Sequence, residues 1–187
     1  IIVLNDVQGG VTALIDNMNV KAGAGVDVEA DANATLLAGI LSSVSSSGGS
    51  AWGSGTSIAR NGVIATNVAR NNALAEIRNS NVDQTTGDVD VTATQRTVMD
   101  ATLSASSATG DEGLTVTLAF NSLGYDASNI LFNAVEAVAA DPAFHRLIDP
   151  SNPTSAVAQI INSNVNTTGS VKVDAQSAEL LNATVSN

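Results

Sequence analysis

The chain lacks cysteine and has very few aromatic residues, and each absence narrows the class of protein. Its 187 residues contain no Cys, and Phe, Tyr and Trp together make up 3%. The first absence excludes a disulfide framework and thiolate metal sites. The second is atypical of a large globular core with aromatic anchors. No apolar run approaches the roughly 20 residues that a membrane-spanning helix needs. A thin interior of short aliphatic side chains fits this composition.

Positive charge is also scarce. Seven Lys and Arg stand against 18 Asp and Glu, which gives a net charge of −11. Nucleic-acid binding needs Lys and Arg to neutralise phosphates, so we expect no nucleic-acid partner. Low lysine content without cysteine is typical of secreted bacterial surface proteins, and we expect an extracellular or cell-surface location. The chain opens Ile-Ile-Val-Leu without Met and stops in mid-pattern, so we interpret it as a piece of a longer protein.

What the sequence does contain is a cassette that occurs three times, at about 11–38, 73–101 and 156–183. Apolar and polar residues alternate within it in short bursts, which predicts strands with one buried face. Turn-forming residues such as Asn-Ser and Thr-Thr-Gly separate the bursts. A pair of valines precedes the closing alanine by the same number of positions in every copy, whereas the turn before the valines is one residue longer in the second copy. Strand pairing tolerates an additional residue in a turn, whereas one inside a strand would turn the following side chains to the opposite face.

Repeats that each expose one apolar face, and stack to bury it, indicate a solenoid. We therefore predict a mainly β fold, a β-solenoid resembling a parallel β-helix, formed as one module by residues 1–187. Glycines at 87 and 169 fall at its turns. The residues predicted to point inward are the recurring valines of the cassettes: Val20, Val26, Val28, Val82, Val89, Val91, Val165, Val171 and Val173.

One segment departs from the strand pattern. From Asn129 the apolar residues recur with helical spacing, and Asp141-Pro142 is typical of the start of a second short helix. We predict a short helical insertion around residues 129–148, inside a segment, 123–150, that interrupts the repeats.

Three further stretches are rich in Asn, Ser and Gly and are predicted as turns or loops: Asn5–Gly10, Ser42–Gly49 and Asn121–Ser128. Trp52 and Tyr125, the only Trp and Tyr of the chain, lie in or beside the last two. Exposed aromatic residues commonly contact sugars, so loops 42–57 and 121–128 are the candidate surface for binding a glycan.

Several strings resemble one kind of known protein. They are Gly48–Ser57, Asn61–Asn67, Asn129–Asn133 with Asp141-Pro142, and the Asn-Ser-Asn-Val…Val-x-Val cassettes. They are similar to giant bacterial secreted and cell-surface repeat proteins of the adhesin-like, or hemagglutinin-like, kind, and the resemblance covers nearly the whole chain. It implies an extracellular, tandemly repeated, β-rich module that serves chiefly as stalk or filament. The Gly- and Asp-rich nonapeptide of calcium β-rolls is absent, so the resemblance does not imply calcium binding.

The sequence offers no catalytic constellation, and we expect no enzyme. A Ser-His-Asp triad needs a positioned His, and the single one, His145, falls on a predicted surface helix. The carboxylates of Asp88 and Asp90, and of Asp27 and Glu29, flank inward valines and are interpreted as solvent-facing. We therefore expect no cofactor, with one alternative: calcium bridging such carboxylates between adjacent coils.

These observations predict a structural repeat module of an extracellular bacterial fibre, stalk or adhesin. Its partners would be neighbouring copies of itself, or adjacent repeats of a longer chain, stacked end to end. The alternative is an adhesin module that binds surface glycans or another surface through Trp52 and Tyr125. A third hypothesis is a polysaccharide-active β-helix enzyme, which requires a groove lined by clustered acids and bases.

Overall fold

The computed structural model describes residues 1–47, 55–124 and 154–186, and every helix or strand element within these ranges is a β-strand. The predicted mainly β class is confirmed. The predicted helices at 129–148 lie outside the described residues, as do Trp52 and Tyr125. No helix that is long and apolar enough to cross a membrane occurs in the described ranges. The strands are β1 (Ile2–Asp16), β2 (Asn19–Lys21), β3 (Val26–Ser46), β4 (Ile58–Arg78), β5 (Asn81–Thr85), β6 (Val89–Thr109), β7 (Glu112–Leu123), β8 (Ser155–Ile161), β9 (Asn164–Thr167) and β10 (Val171–Ser186).

The strands form three parallel sheets. Sheet A has the order β1-β4-β7, with β8 also paired to β4; sheet B has the order β2-β5-β9; and sheet C contains β3, β6 and β10 with β6 in the middle. Each sheet thus takes its strands from three successive stretches of chain, which we call tier 1 (β1–β3), tier 2 (β4–β6) and tier 3 (β7–β10). Tier 2 is the middle tier in every sheet, so it is covered on both sides.

Residues at equivalent positions of the cassettes pair with one another. In sheet C, Val89 of tier 2 pairs with Val26 on one side and with Val171 on the other. In sheet B, Asn19 pairs with Asn81. The numbering offset between tiers 1 and 2 therefore grows by one residue between sheets B and C, so the additional residue of tier 2 lies between the paired parts of β5 and β6.

Sheets A and C bury alternate residues against each other. Along β3 and β6 every second side chain is buried or partly buried, as expected for strands with one face on a core. Most of these side chains are small, so the interior needs no aromatic anchor. The main cluster of buried apolar residues comprises Val28, Ala30, Ala32, Ala73, Ala75, Ile77, Val82, Val89, Val91 and Ala93.

The turn from sheet A to sheet B is made by an asparagine in every tier. Asn17, Asn79 and Asn162 have φ angles of 54°, 50° and 48°. This left-handed region is unfavourable for most residues, but Asn tolerates it better than others. The backbone N–H of Asn79 donates to Ile161 O at 3.0 Å, and that of Asn17 donates to Arg78 O at 3.2 Å. The turns therefore continue the hydrogen bonding between tiers.

The turn from sheet B to sheet C contains glycines that approach one another closely. A Cβ on Gly87 would lie 2.7 Å from Gly25 N, and one on Gly169 would lie 2.8 Å from Gly87 C. Real Cβ atoms do not occupy such positions against backbone, so these turns require glycine if the tiers are to stack at this spacing.

The interruption of the repeats is located in sheet A of tier 3. Ile58 of β4 pairs with Glu112 of β7, an offset of 54, whereas Asn72 pairs with Ser155 of β8, an offset of 83. The insertion is therefore 29 residues long. Both of its ends meet at one carbonyl, because Gly124 N donates to Ala69 O at 2.9 Å and Thr154 Oγ1 donates to the same atom at 3.2 Å. The inserted segment leaves sheet A and rejoins it at the same place.

The loop prediction was wrong for Asn5–Gly10 and for residues 42–46 and 121–123 of the loops predicted at Ser42–Gly49 and Asn121–Ser128. All three stretches are strand, within β1, β3 and β7. The residues have turn propensity, but pairing along the whole length of the neighbouring tier overrides it. The buried Ser42 hydroxyl, for instance, donates to Asn61 Oδ1 at 3.0 Å.

Candidate functional site

The valines predicted to point inward occupy corresponding rows, but their burial depends on the tier. Val82, Val89 and Val91 of tier 2 are fully buried and Val28 of tier 1 is 5% exposed. Val20, Val26 and Val165 are partly buried and pack against the same cluster. Val171 and Val173 of tier 3 are 48% and 47% exposed. They pair in register with buried valines of β6, but β10 has no further strand beside it among the described residues.

A column of asparagines runs through the interior, one in each tier of sheet A. Asn5 pairs with Asn67, and Asn67 pairs with Asn121. Asn5 Nδ2 donates to Asn67 Oδ1 at 2.8 Å, and Asn67 Nδ2 donates to Asn121 Oδ1 at 2.8 Å. We call these three residues the asparagine ladder. Its central rung is completely buried.

Each rung of the asparagine ladder also connects sheet A to sheet C. The Nδ2 atoms of Asn5, Asn67 and Asn121 donate to backbone carbonyls at 2.8, 2.8 and 2.6 Å. These carbonyls belong to one row of paired residues in sheet C: Leu37, Asp100 and Asn182. A carbonyl oxygen requires a donor, so this contact fixes which end of each amide is nitrogen. All three amides therefore point in the same direction along the stack.

A second polar group lies in the interior, where β7 and β8 are separated. Asn71 Oδ1 accepts from Thr97 Oγ1 at 3.1 Å and from Gln95 Nε2 at 3.3 Å. Ser177 Oγ donates to Gln95 Oε1 at 2.6 Å. Asn71 Nδ2 is buried and has no partner among the described residues. The group links sheets A and C, and the side-chain oxygens of Asn71 and Gln95 already accept hydrogen bonds.

Two ion pairs join tiers 1 and 2 on the outer side of sheet A. Arg70, whose side chain is 1% exposed, donates through Nη2 to Asp6 Oδ2 at 2.9 Å. Arg78 Nη2 donates to Asp16 Oδ2 at 2.9 Å. The hydrogen bond from Arg78, with a smaller contribution from Asn79, lowers the pKa of the Asp16 carboxyl below its ordinary value. Both pairs hold adjacent strands in register.

The carboxylates that were weighed as catalytic or cation-binding groups have structural positions. Asp88 lies in the turn before β6, and its Oδ1 accepts from Ser170 N at 2.7 Å. Asp90 pairs with Asp27 on one side and with Lys172 on the other, on the outer face of sheet C. Within the described ranges, no group of three or more His, Cys, Asp or Glu residues is arranged to hold a metal ion. His145 lies outside these ranges.

The described part of the predicted glycan-binding loop at 42–57 forms a shallow polar cleft of about 680 Å³. Its polar groups are largely satisfied by one another. Ser57 N donates to Asp111 Oδ2 at 2.6 Å, Ser57 Oγ donates to Ser46 O at 2.8 Å, and Thr109 Oγ1 donates to Ser57 O at 2.8 Å. These bonds close the turn between tiers rather than presenting free groups to a ligand.

The two ends of the stack of tiers have strand edges without a strand partner in the described structure. β1, β2 and β3 have strand partners only in tier 2, as do β7, β8, β9 and β10. Apolar inner-row residues are exposed in sheet A at the tier 1 end and in sheet C at the tier 3 end, whereas the inner row of β3 is largely buried. In tier 1 these include Val7 and Val11, at 39% and 41%; in tier 3 they are Val171, Val173, Leu181 and Val185, at 45–48%. We call the two surfaces the tier 1 end and the tier 3 end.

The asparagine ladder is the feature that sequence reasoning missed. The offset that relates Val20 to Val82 also relates Asn5 to Asn67. Extending the first cassette toward the N-terminus by this offset would have revealed the pair of Asn5 and Asn67, but not Asn121, whose offset from Asn67 differs.

Comparisons of the chain with protein-family models, with curated proteins and with solved structures gave no match.

Proposed function

We propose that the chain is a β-solenoid module with a structural function, a segment of an extracellular bacterial fibre, stalk or adhesin. Tiers of this kind extend a molecule along one axis, and the ends of the module receive further tiers. The observation that carries the proposal is the exposure of inner-row residues of sheet A at the tier 1 end and of sheet C at the tier 3 end, beside strand edges that have no partner in the described structure. Exposed strand edges are templates for further pairing.

The extracellular location rests on the sequence. The chain is acidic, has no cysteine and is poor in lysine, and its cassettes resemble those of bacterial surface repeat proteins. No catalytic role is assigned, because the side chains that join neighbouring strands in the interior are bonded to each other and to backbone carbonyls. This arrangement supports a scaffold rather than a reaction.

The energetics favour stacking that depends on concentration. Complete burial of a Val or Leu side chain is worth about 1.5–3 kcal/mol, so covering the exposed halves of the four inner-row residues of tier 3 contributes about 4 kcal/mol. Association costs at least about 4 kcal/mol in lost freedom of motion. Apolar burial alone therefore does not suffice, and backbone hydrogen bonds, worth about 0.5–1.5 kcal/mol each, supply the remaining stability.

Negative-stain electron microscopy over a concentration series tests this function, with and without a chelator. We expect fibres that lengthen with concentration and persist in chelator, since the ends meet through strands and apolar rows. Collapse of the fibres in chelator would instead assign the contact to cations. Short particles at every concentration would contradict assembly of the module into a filament.

A further inference from the structure

The asparagine ladder has a direction, and its two ends are therefore chemically different. Each Nδ2 donates to the Oδ1 of the next tier, from Asn5 to Asn67 to Asn121. At the tier 1 end, Asn5 Oδ1 has no donor within the described residues. At the tier 3 end, Asn121 Nδ2 donates to Asn182 O at 2.6 Å, while its other contact, to Met99 O, is a long 3.4 Å. The tier 1 end thus presents an acceptor, and the tier 3 end has a donor whose second hydrogen is held only by the long contact to Met99 of tier 2.

The outer face of sheet C differs between the ends in charge. β3 at the tier 1 end carries the acidic side chains of Asp27, Glu29 and Asp31. The residue of tier 3 in the same row as Asp27 is Lys172, 61% exposed and 3.4 Å from Asp174. Two tier 1 ends would bring three acidic side chains together on each side, which destabilises strand pairing. Opposite ends would place Lys172 beside Asp27 and Asp174 beside Glu29, so one attractive pair offsets one repulsive pair.

Two apolar inner rows are compatible with stacking of opposite ends, whereas the row of Ala34 and Thr97 would bring the Glu179 carboxylate into the contact. Within the chain, Leu36, Met99 and Leu181 form one row, and Ala38, Ala101 and Ala183 form another. Placing tier 1 of a second copy beyond tier 3 would bring Leu181 beside Leu36 and Ala183 beside Ala38, and each row would continue with residues of the same kind. The strands would also remain parallel, as they are within the chain. Two identical ends related by a twofold axis would require antiparallel strands instead.

We propose that the partner of the tier 3 end is the tier 1 end of a second copy of this chain, paired in the register that relates the tiers within one chain. Asn121 Nδ2 donates to Asn5 Oδ1 of the next copy, and Lys172 lies beside its Asp27. The contact is head-to-tail, so it does not close on itself in a dimer and leads to an open polymer. The inference rests on the proposed function and adds the polarity and register of the contact.

Cysteine cross-linking tests both properties, because the natural chain has no cysteine. Asp31 and Gln176 are exposed and both pair with Thr94, on opposite sides of β6. Between stacked copies, these positions would lie one strand spacing apart, about 4.8 Å, which is within the Cα separation of a disulfide. Within one chain they lie two spacings apart, too far for a disulfide. The double variant D31C/Q176C should therefore form disulfides only between copies.

The matched control is D31C/A178C, in which the second cysteine lies on the same exposed face but one row out of register. Under mild oxidation we expect D31C/Q176C to give a series of oligomers joined through positions 31 and 176, with at least a tenfold higher yield than the control. The single variants D31C and Q176C should give no covalent dimer. Peptide mapping by mass spectrometry identifies the linked positions.

Links between two copies of position 31, or between two copies of position 176, would overturn head-to-tail polarity. An equal yield from D31C/A178C would overturn the register. Light scattering of the natural chain distinguishes an error in the polarity or register of the contact from an error in the proposed function. Association without a 31–176 link contradicts only the inference, whereas a monomer at every concentration with no link in any variant contradicts the stacking of copies in both.

Discussion

The side chain of Asn67 forms three hydrogen bonds in the interior. It is completely buried, accepts from Asn5, and donates to Asn121 and to the carbonyl of Asp100. Buried polar groups in such a chain are stable only while every partner is present, because an unsatisfied group in the interior costs about 1–3 kcal/mol. The asparagine ladder therefore makes sheets A and C depend on each other, as well as joining the tiers.

Replacing Asn67 with alanine should destabilise the chain by about 2–4 kcal/mol, since the Asp100 carbonyl loses its side-chain donor and each of the two neighbouring amides loses one partner. The matched control is Asn164→Ala, which removes an exposed asparagine whose Nδ2 donates to Asn81 Oδ1 at 2.9 Å. Its effect should stay below about 1 kcal/mol. Urea unfolding measures both. Equal losses of stability in the two variants would contradict a larger contribution from the buried asparagine ladder than from an exposed asparagine.

The inner valine rows give a second test at this scale. Val91 is completely buried, so Val91→Asp places an unpaired charge in the interior at a cost of several kcal/mol. We expect the variant to unfold or to melt far below the natural chain. Ser106→Asp adds the same charge at an exposed position of the same strand and should change stability by less than about 0.5 kcal/mol. A melting curve for Val91→Asp equal to that of the natural chain would contradict the inward orientation of this side chain.

Asp16 is expected to make the chain sensitive to acid. Because Arg78 lowers its pKa in the folded state, the folded chain holds this proton less tightly than the unfolded chain does. The contribution to stability is therefore present above the unfolded pKa, near 3.9, and is lost as the pH falls through the lower folded value. Carboxyl NMR should give Asp16 a midpoint below its ordinary value that rises in Arg78→Gln. An unchanged midpoint in that variant would exclude Arg78 as the cause.

Individual residues differ in how readily the sequence reveals them. The valine rows were predictable because β-branched residues recur at a fixed step beside turn chemistry. Asn5 and Asn121 were not, because Asn next to Asp, Ser or Gly is also typical of turns. Only the position of their partners in the neighbouring tiers distinguishes a buried rung from a turn residue, and that information is not local.

At the scale of elements, the asparagine turns fix where each strand of sheet A ends. Asn79 has φ of 50° and lies between two equivalent turns. We expect Asn79→Gly to retain stability within about 0.5 kcal/mol, because glycine adopts this conformation freely. Asn79→Val should lose about 1–2 kcal/mol, because a β-branched residue is strained there. Thermal unfolding of the pair is the measurement, and equal stabilities would contradict a left-handed turn at this position.

Strand length is the element property that the sequence predicted least well. The apolar pattern indicated short bursts, whereas β3, β4 and β6 each span 21 residues. Single strands of this length have weak local signals, since Ser, Gly and Asn interrupt the alternation. Each is stabilised by a partner of similar length in the adjacent tier, so its extent is set by pairing rather than by propensity.

At the scale of the whole molecule, the three tiers are equivalent in register but not in burial. Tier 2 is enclosed on both sides, while Val173 in tier 3 is 47% exposed although its paired residue Val91 is completely buried. The repetition and the parallel arrangement followed from the spacing of the cassettes. The unequal burial could not, because it depends on how sheets A and C cover each other at each end: Val28, also in an end tier, is only 5% exposed.

The substitution Val173→Asp tests assembly separately from folding, because this position is half exposed in a single copy. The melting temperature should therefore change by only a few degrees. Burying the new charge between copies is unfavourable, so we expect fibres and concentration-dependent association to be lost. Light scattering and thermal unfolding of the same sample give both readings. Assembly equal to that of the natural chain would show that the tier 3 end is not a contact surface.

The axial rise of one copy in an assembled fibre, measured by cryo-electron microscopy, tests the central claim most directly. Three tiers at a strand spacing of about 4.8 Å give a rise of about 14 Å per copy, with strands perpendicular to the fibre axis. A rise of that size, with the same polarity in every copy, is the result this account predicts. A rise that is not close to three strand spacings, or alternation of polarity between copies, would contradict continuous stacking of the tiers.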